Sequence, residues 1–275
     1  MDRRSYLISV FDDTLECISN DVALHMAQQQ SIASQKLILE TDAISTPVPK
    51  FKEEAKVLVT HNRSFEAAAH YNGQRVCVLN FASATNPGGG VVHGSSAQEE
   101  CLCRCSTLYN CLNTRAMWDG FYTPHRRSGD PLHNNDIIFT PGVQVFKDDD
   151  YNELPQPFAV DVITCAAPNL RPKPSNPYNP GESDAPFIPP QELFHLHIDR
   201  ARRILDVAAL NNAEVVILGA FGCGAFRNDP LIVARAYNCV IEQYLHIFRA
   251  IEFAVYCRPG DDNNYRTFRS IIHPG

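Results

Sequence analysis

One stretch restricts the fold of this chain more than any other, Asn80 to Cys105, NFASATNPGGGVVHGSSAQEECLCRC. It leaves an apolar run, Val76-Cys77-Val78-Leu79, which reads as a buried strand. It breaks on Asn86-Pro87-Gly88-Gly89-Gly90, and successive glycines let a backbone take positive φ and come close to a ligand. A small-residue linker, Gly94-Ser95-Ser96-Ala97, leads to Gln98-Glu99-Glu100, which opens a helix expected to reach about Leu112. Ser95 or Ser96 is the expected N-cap, with Glu99 in the capping-box position three residues after Ser96. A strand, a glycine loop and a helix start with two adjacent carboxylates therefore share one short segment.

The rest of the chain supplies layers around it. From Ser5 to Leu39, apolar residues at helical spacing (Leu15, Ile18, Val22, Met26) predict one or two helices ahead of the core. Thr41 to Lys52, with Pro47 and Pro49, is a connector. Lys56 to Thr60 is a strand, and Ser64 to Tyr71 is a helix that stops at Asn72-Gly73. Tyr122 to Asn135 reads as loop; Ile137–Phe139 and Val143–Phe146 read as strand pieces separated by a turn at Pro141-Gly142. Phe158 to Cys165 is a strand, Gln191 to Asn211 a helix, and Glu214 to Leu218 a continuous apolar strand running into GAFGCGAF, Gly219 to Phe226. Pro230 at a first helical position starts a helix expected to reach about Arg249. Ile251 to Cys257 is the last strand and Asn264 to Ile272 the last helix. Strands alternating with helices from residue 56 onward predict an α/β fold, a sheet covered on both faces. Residues 1–55 are expected to form a helical extension packed on a core of residues 56–275. Ala166 to Pro190 holds eight of the 19 prolines, so it is neither helix nor central strand. Its length suggests function beyond linkage.

Several function classes fall away on composition. The net charge of −7 argues against a broad basic surface for a nucleic-acid backbone, so no direct nucleic-acid partner is expected. No apolar run approaches the roughly 20 residues of a membrane helix, and Asp12-Asp13 cut short the apolar run after the basic start, so neither membrane insertion nor secretion is expected. The expectation is an intracellular protein, cytoplasmic or nuclear, and a monomer. Ten cysteines then read as free thiols. The Cys101, Cys103, Cys105 spacing and the His195, His197 pair do not make a zinc pattern. No metal or cofactor is called for.

Two strand-to-helix transitions carry glycine loops, at 86–96 and 219–228. In open α/β sheets ligands bind beyond the carboxyl ends of strands, where such loops gather. Together the two loops can form a nest of N–H groups for a diphosphate. Neither is a dinucleotide fingerprint or a P-loop, since G-x-G-x-x-G and G-K-[ST] are both missing from them. Acidic residues at a helix start are favoured by its dipole and glycines mark turns, so neither feature alone points to chemistry; GGG, seven residues and then QEE do so in combination.

That combination resembles the active-site motif of poly(ADP-ribose) glycohydrolases. The order NFASATNPGGG, QEE, VITCAAPN and GAFGCGAF behind a helical N-terminal part resembles the bacterial-type members, built on a macro domain. The resemblance implies a three-layer α/β/α fold with a mixed central sheet and an ADP-ribose cleft between the glycine loops. It implies Glu100 as the catalytic acid and Glu99 as the holder of the terminal ribose. Gly88, Gly89 and Gly90 would approach the diphosphate and that ribose. Gly222, Gly224 and Ala225 would embrace the diphosphate, with Phe226 packed on ribose and Cys223 a further substrate-binding candidate. Asn80, Asn86 and Gln98 are further substrate-binding candidates. Poly(ADP-ribose) and ADP-ribosylated proteins are the implied partners, cut mainly from the chain end. The ribose–ribose link breaks through an oxocarbenium-like state, and one carboxyl can deliver a proton to the leaving hydroxyl and then take one from water. A non-catalytic ADP-ribose-binding macro domain, a hydrolase of another ADP-ribosyl linkage and a nucleotide-sugar enzyme stay open as alternatives.

Overall fold

The computed structural model describes residues 2–71, 73–172, 186–258 and 260–273. In chain order the helices are α1 (Arg3–Asn20), α2 (Val22–Ala33), α3 (Ser64–Ala69), α4 (Gln98–Cys105), α5 (Leu108–Leu112), α6 (Arg115–Met117), α7 (Thr123–Ser128), α8 (Pro190–Leu210), α9 (Pro230–Ile241) and α10 (Asn263–Ile271). The strands are β1 (Lys36–Ile38), β2 (Lys56–Thr60), β3 (Val76–Ala82), β4 (Ile137–Lys147), β5 (Glu153–Ala166), β6 (Val215–Leu218) and β7 (Ala250–Ala254).

One sheet orders them β1-β4-β5-β3-β6-β7-β2. The β5, β3, β6, β7 and β2 neighbours pair in parallel, and β4 pairs antiparallel with both β5 and β1. Successive strand residues face opposite sides, so β3 sends Cys77 and Leu79 into one core and Val76 and Val78 into the other. The first core is completed by α8, α9 and α10 through Ile204, Leu205, Val233, Tyr237 and Phe268. The second is completed by α3, α4 and α5 together with Phe11 of α1. This is the expected three-layer fold with a mixed sheet.

Several elements depart from expectation. Asp2 and Asp21 cap α1 and α2 through their carboxylates, and the break at Asp21 resets the helical register. Val22 and Met26, expected in the apolar stripe, are therefore exposed, while Leu7, Phe11 and Ile18 carry the burial. β1 pairs with β4, so the sheet reaches into the segment expected to be helical throughout. Pro141-Gly142 does not separate two strands; β4 runs through it with a bulge between Thr140 and Val143 and Gly142 at φ +67°. The expected loop from Tyr122 begins instead in a π-helical turn, Trp118–Tyr122, that continues into α7, because Phe121 and Tyr122 are wholly buried. α9 ends at Ile241 and passes into a 3-10 turn, short of Arg249. The connector at 41–52 lacks regular structure, as expected. Of the proline-rich excursion, residues 173–185 lie outside the described residues.

Among the described residues no helix is long and apolar enough to cross a membrane. All ten cysteines carry free thiols.

Candidate active site

β3 lies between β5 and β6, so the segments leaving the carboxyl ends of these three parallel strands emerge side by side. The segment after β3 is the first glycine loop and the one after β6 the second. The segment after β5, residues 167–172, lies against the second loop. Asn228, 2% exposed, donates from Nδ2 to Pro168 O at 2.7 Å and to Gly222 O at 3.1 Å, and accepts at Oδ1 from His197 Nε2 at 2.9 Å. Leu170 N–H donates to Phe226 O at 2.9 Å. Gly222 has φ +75°, and a Cβ there would stand 2.6 Å from Ala167 Cβ and 2.7 Å from Asn228 Nδ2, so the close approach requires glycine. Gly224 and Ala225 are exposed and Cys223 and Phe226 half-buried. A Cβ on Gly224 would meet nothing within 4 Å.

The first loop turns through Gly88 and Gly89 at φ +64° and +59°. It closes on itself through Gly89 N–H to Asn86 O at 3.0 Å and Val91 N–H to Gly88 O at 3.1 Å. The helix behind it does not start as the capping box predicts. Ala97 is the N-cap, with no side-chain cap, because the Glu99 carboxylate is engaged elsewhere. Its Oε2 accepts from Ser83 N at 2.8 Å and its Oε1 from Asn80 Nδ2 at 3.3 Å, which ties the helix to the end of β3. The helix also stops early, at Cys105, where Ser106 bridges to Val145 of β4.

Glu99 and Glu100 are both buried, at 3% and 7% exposure. Adjacent helical residues point about 100° apart, and the two carboxylates accordingly find different anchors. Glu100 Oε1 accepts from Gly90 N at 2.9 Å, while its Oε2 is buried with no hydrogen-bond partner among the described residues. Burial, and then the Glu100 charge beside it, push the Glu99 carboxyl well above the usual carboxylate range, against the Ser83, Asn80 and Gly88 donors. Gly89 is where loop and carboxylates come closest: a Cβ there would stand 2.6 Å from Glu100 Oε1 and 3.0 Å from Glu99 Oε2.

The remaining predicted residues take their places around this pair. Asn80 is wholly buried beneath Glu99, its Nδ2 shared with Thr164 Oγ1 at 3.2 Å and its Oδ1 without a partner. The Gln98 carboxamide is engaged by protein groups: it accepts from Phe81 N at 2.8 Å and donates to Leu79 O at 2.7 Å and Ser64 Oγ at 3.0 Å. Gln98 thus pins α4 to β3. Asn86 Oδ1 accepts from the Arg126 guanidinium at 2.5 Å.

Comparison with known proteins follows the same lines. Residues 13–148 match the family described as Microbial-type PARG, catalytic domain. The poly(ADP-ribose) glycohydrolase from Thermomonospora curvata superposes with a TM-score of 0.84 at 27% identity, over 97% of this chain and 99% of that one. Its complex with the inhibitor ADP-HPD gives 0.82 at the same identity and coverage. The enzyme from Deinococcus radiodurans in complex with ADP-ribose is 32% identical, with a TM-score of 0.74 over 89% of this chain and 96% of that one. The chain belongs to the microbial-type poly(ADP-ribose) glycohydrolases. No curated protein gives a match.

Residues that sequence reasoning did not single out surround the glycine loops and the two glutamates. Arg126 of α7 donates to Thr85 O at 2.6 Å as well as to Asn86 and lies 4.3 Å from the centre of the Trp118 ring, fixing the entry to the first loop. Arg104, wholly buried, donates to Ser95 O and Glu100 O, fixing its exit and the first turn of α4. Tyr122 is wholly buried with its hydroxyl unpartnered. Burial and then the Glu99 charge push its phenol up. Asn228 joins the second loop to the segment after β5. Arg126 and Asn228 reach partners 40 and 60 positions away, a range at which sequence carries no local signal.

Proposed function

We propose that this glycohydrolase cleaves the ribose–ribose O-glycosidic bonds of poly(ADP-ribose), mainly from the chain end, releasing ADP-ribose with Glu100 as general acid and then general base. One observation carries the assignment: Glu100 Oε1 is held by the Gly90 amide while Oε2 has no partner among the described residues. A buried carboxylate oxygen without a partner is costly; a ribosyl hydroxyl would donate to it, and once protonated it would itself donate to the scissile oxygen. Glu99, fixed by Ser83 and Asn80, is suited to holding the terminal ribose and to orienting its neighbour. The diphosphate rests on amides of the glycine loops, where oriented N–H groups favour an anion without a lysine.

Glu100 donates its proton to the leaving ribose hydroxyl as the glycosidic bond lengthens. The developing oxocarbenium character at the anomeric carbon is offset by the negative charge of the ligand's own diphosphate and by the carboxylate that Glu100 has become. That carboxylate then takes a proton from the incoming water. Chain-end cutting is supported by the family resemblance and by the net charge of −7, which disfavours a grip on the middle of a polyanion.

Incubation with purified poly(ADP-ribose) and, separately, with mono-ADP-ribosylated protein, followed by chromatography, tests the reading. Free ADP-ribose should appear from the polymer at the earliest times; medium-length oligomers with little monomer would show internal cutting. Glu100→Gln should lower turnover by roughly two to four orders of magnitude, the usual worth of general acid–base catalysis, while ADP-ribose still binds. Near-parental cleavage by that variant would remove Glu100 from the role.

A further inference from the structure

Neither glycine loop carries a lysine, yet the segment after β5 brings an arginine to them. The Arg171 guanidinium lies 5.2 Å from the centre of the Phe226 ring, and its Nε donates to Asn169 Oδ1 at 3.1 Å. Its backbone is fixed as well: Asn169 N–H donates to Pro131 O at 2.7 Å and Leu170 N–H to Phe226 O at 2.9 Å. An arginine packed on an aromatic ring and held at Nε keeps its terminal N–H groups in a fixed fork, the geometry that suits a phosphate. Among the described residues nothing else engages those terminal nitrogens. The side chain is half-buried and lies within electrostatic reach of both Glu100 and Arg227. In a chain with a net charge of −7, this is a fixed cation against the second glycine loop.

We infer that Arg171 is a substrate-binding residue, its guanidinium docking a diphosphate of the polymer beside Phe226 of the second glycine loop. The inference rests on the proposed polymer substrate and adds a residue to it. The backbone nest formed by the glycine loops can hold one diphosphate through neutral amides. A fixed guanidinium adds net charge, so its contribution falls as salt rises. Two sources of the phosphate are open to it, the unit being cleaved and the unit on the leaving side of the bond that Glu100 protonates.

The test compares Arg171→Ala and Arg171→Lys with the parent at low and high ionic strength. KM and kcat on poly(ADP-ribose), the dissociation constant of free ADP-ribose and the melting temperature are measured for each. Arg171→Ala should raise KM for polymer roughly tenfold at low salt, the scale of one charge-assisted hydrogen bond. Its kcat should change less than threefold, and the gap from the parent should narrow at high salt. Arg171→Lys should recover part of the loss. Parallel weakening of ADP-ribose binding assigns the phosphate to the unit being cleaved; unchanged ADP-ribose binding assigns it to the adjoining unit. An unchanged KM for polymer at low salt overturns the inference. So does a loss of kcat and melting temperature shared equally by both variants, which would mark a structural role. A parent that releases nothing from polymer would instead overturn the reading of function, so the two failures are distinguishable.

Discussion

Gly89→Ala is the sharpest probe of how loop and acid are coupled. At φ +59° an alanine pays for a left-handed backbone, about 1–2 kcal/mol. For a chain of this length that lowers the melting temperature by roughly 2–8 °C. The larger effect falls on the carboxylates. The new Cβ would start 2.6 Å from Glu100 Oε1, and ordinary contact begins at 3.4 Å, so the oxygen must retreat by about 0.8 Å. Because Oε1 is the atom held by Gly90 N at 2.9 Å, that retreat loosens the bond that aims the acid. The clash is with the far end of a side chain, so the fold survives it, while a misplacement of this size at a reacting group costs on the order of 100-fold in rate. Release of ADP-ribose from polymer, read beside a thermal melt, separates the two effects. The expected result is a protein a few degrees less stable with turnover down about 100-fold. Parent-like turnover would mean that Glu100 Oε1 does not need its place against the loop. A fall of turnover only in proportion to the unfolded fraction would mean that the loop serves stability alone.

Other perturbations read other parts of the site. Gly224 has no neighbour within 4 Å of a built Cβ and no positive φ, so Gly224→Leu should melt within about 2 °C of the parent, as surface substitutions do. It should also lose the thermal shift that millimolar ADP-ribose gives the parent; a retained shift would move the diphosphate elsewhere. Glu99 is held above its usual value of 4.5, so the folded state keeps a proton that the unfolded chain has released, and stability falls as pH rises above that value. Glu99→Gln should therefore be more stable than the parent at pH 8, with the gap closing toward pH 4.5, as followed by urea denaturation; no pH dependence in the gap would refute the raised carboxyl. Burial holds His133 down to about 3 and His197 down to about 4 from 6.5. The unfolded chain thus takes up these protons first, and stability should fall as pH drops below 6.5 and keep falling to about 4. Replacing His197 with Gln should flatten that part of the profile, and an unchanged acid limb would show that it does not depend on this ring.

What the sequence revealed of this site was what lies contiguous in it. The first loop and the two glutamates fit within fifteen residues, 86 to 100, and the turn chemistry of glycine and the composition of a helix start are local properties. The layered α/β fold was legible because strand and helix periods alternate along the chain. Features set by distant contacts were not. α4 stops at Cys105 because Ser106 bridges to Val145, and nothing in LCRCSTLYN announces a break. The capping box matched in sequence at Ser96 and Glu99, but a carboxylate that satisfies Ser83 and Asn80 is not available to its own helix. β1 is three residues long and gains its identity only from β4. Residues such as Arg126 and Asn228 act across 40 and 60 positions, and composition has no access to that range.

The same contrast explains how the active site is kept in shape. Glycine loops that come close to a ligand have few side chains with which to hold themselves. Here the holding is delegated to a few polar side chains, buried or half-buried. Arg126 grips the entry of the first loop at Thr85 and Asn86, Arg104 its exit at Ser95, and Gln98 fastens the following helix to β3. Asn228 does the same for the second loop. Arg104 in turn is covered by α1, whose Thr14 hydroxyl donates to Arg104 O at 2.6 Å, while Arg4 Nε reaches His93 O at 2.7 Å. α1 therefore packs against the exit of the first glycine loop and α4. A buried guanidinium deprived of one of its acceptors is strongly destabilising, so Arg104 commits the Ser95 and Glu100 carbonyls to one arrangement, and with them the carboxylate that Gly90 aims.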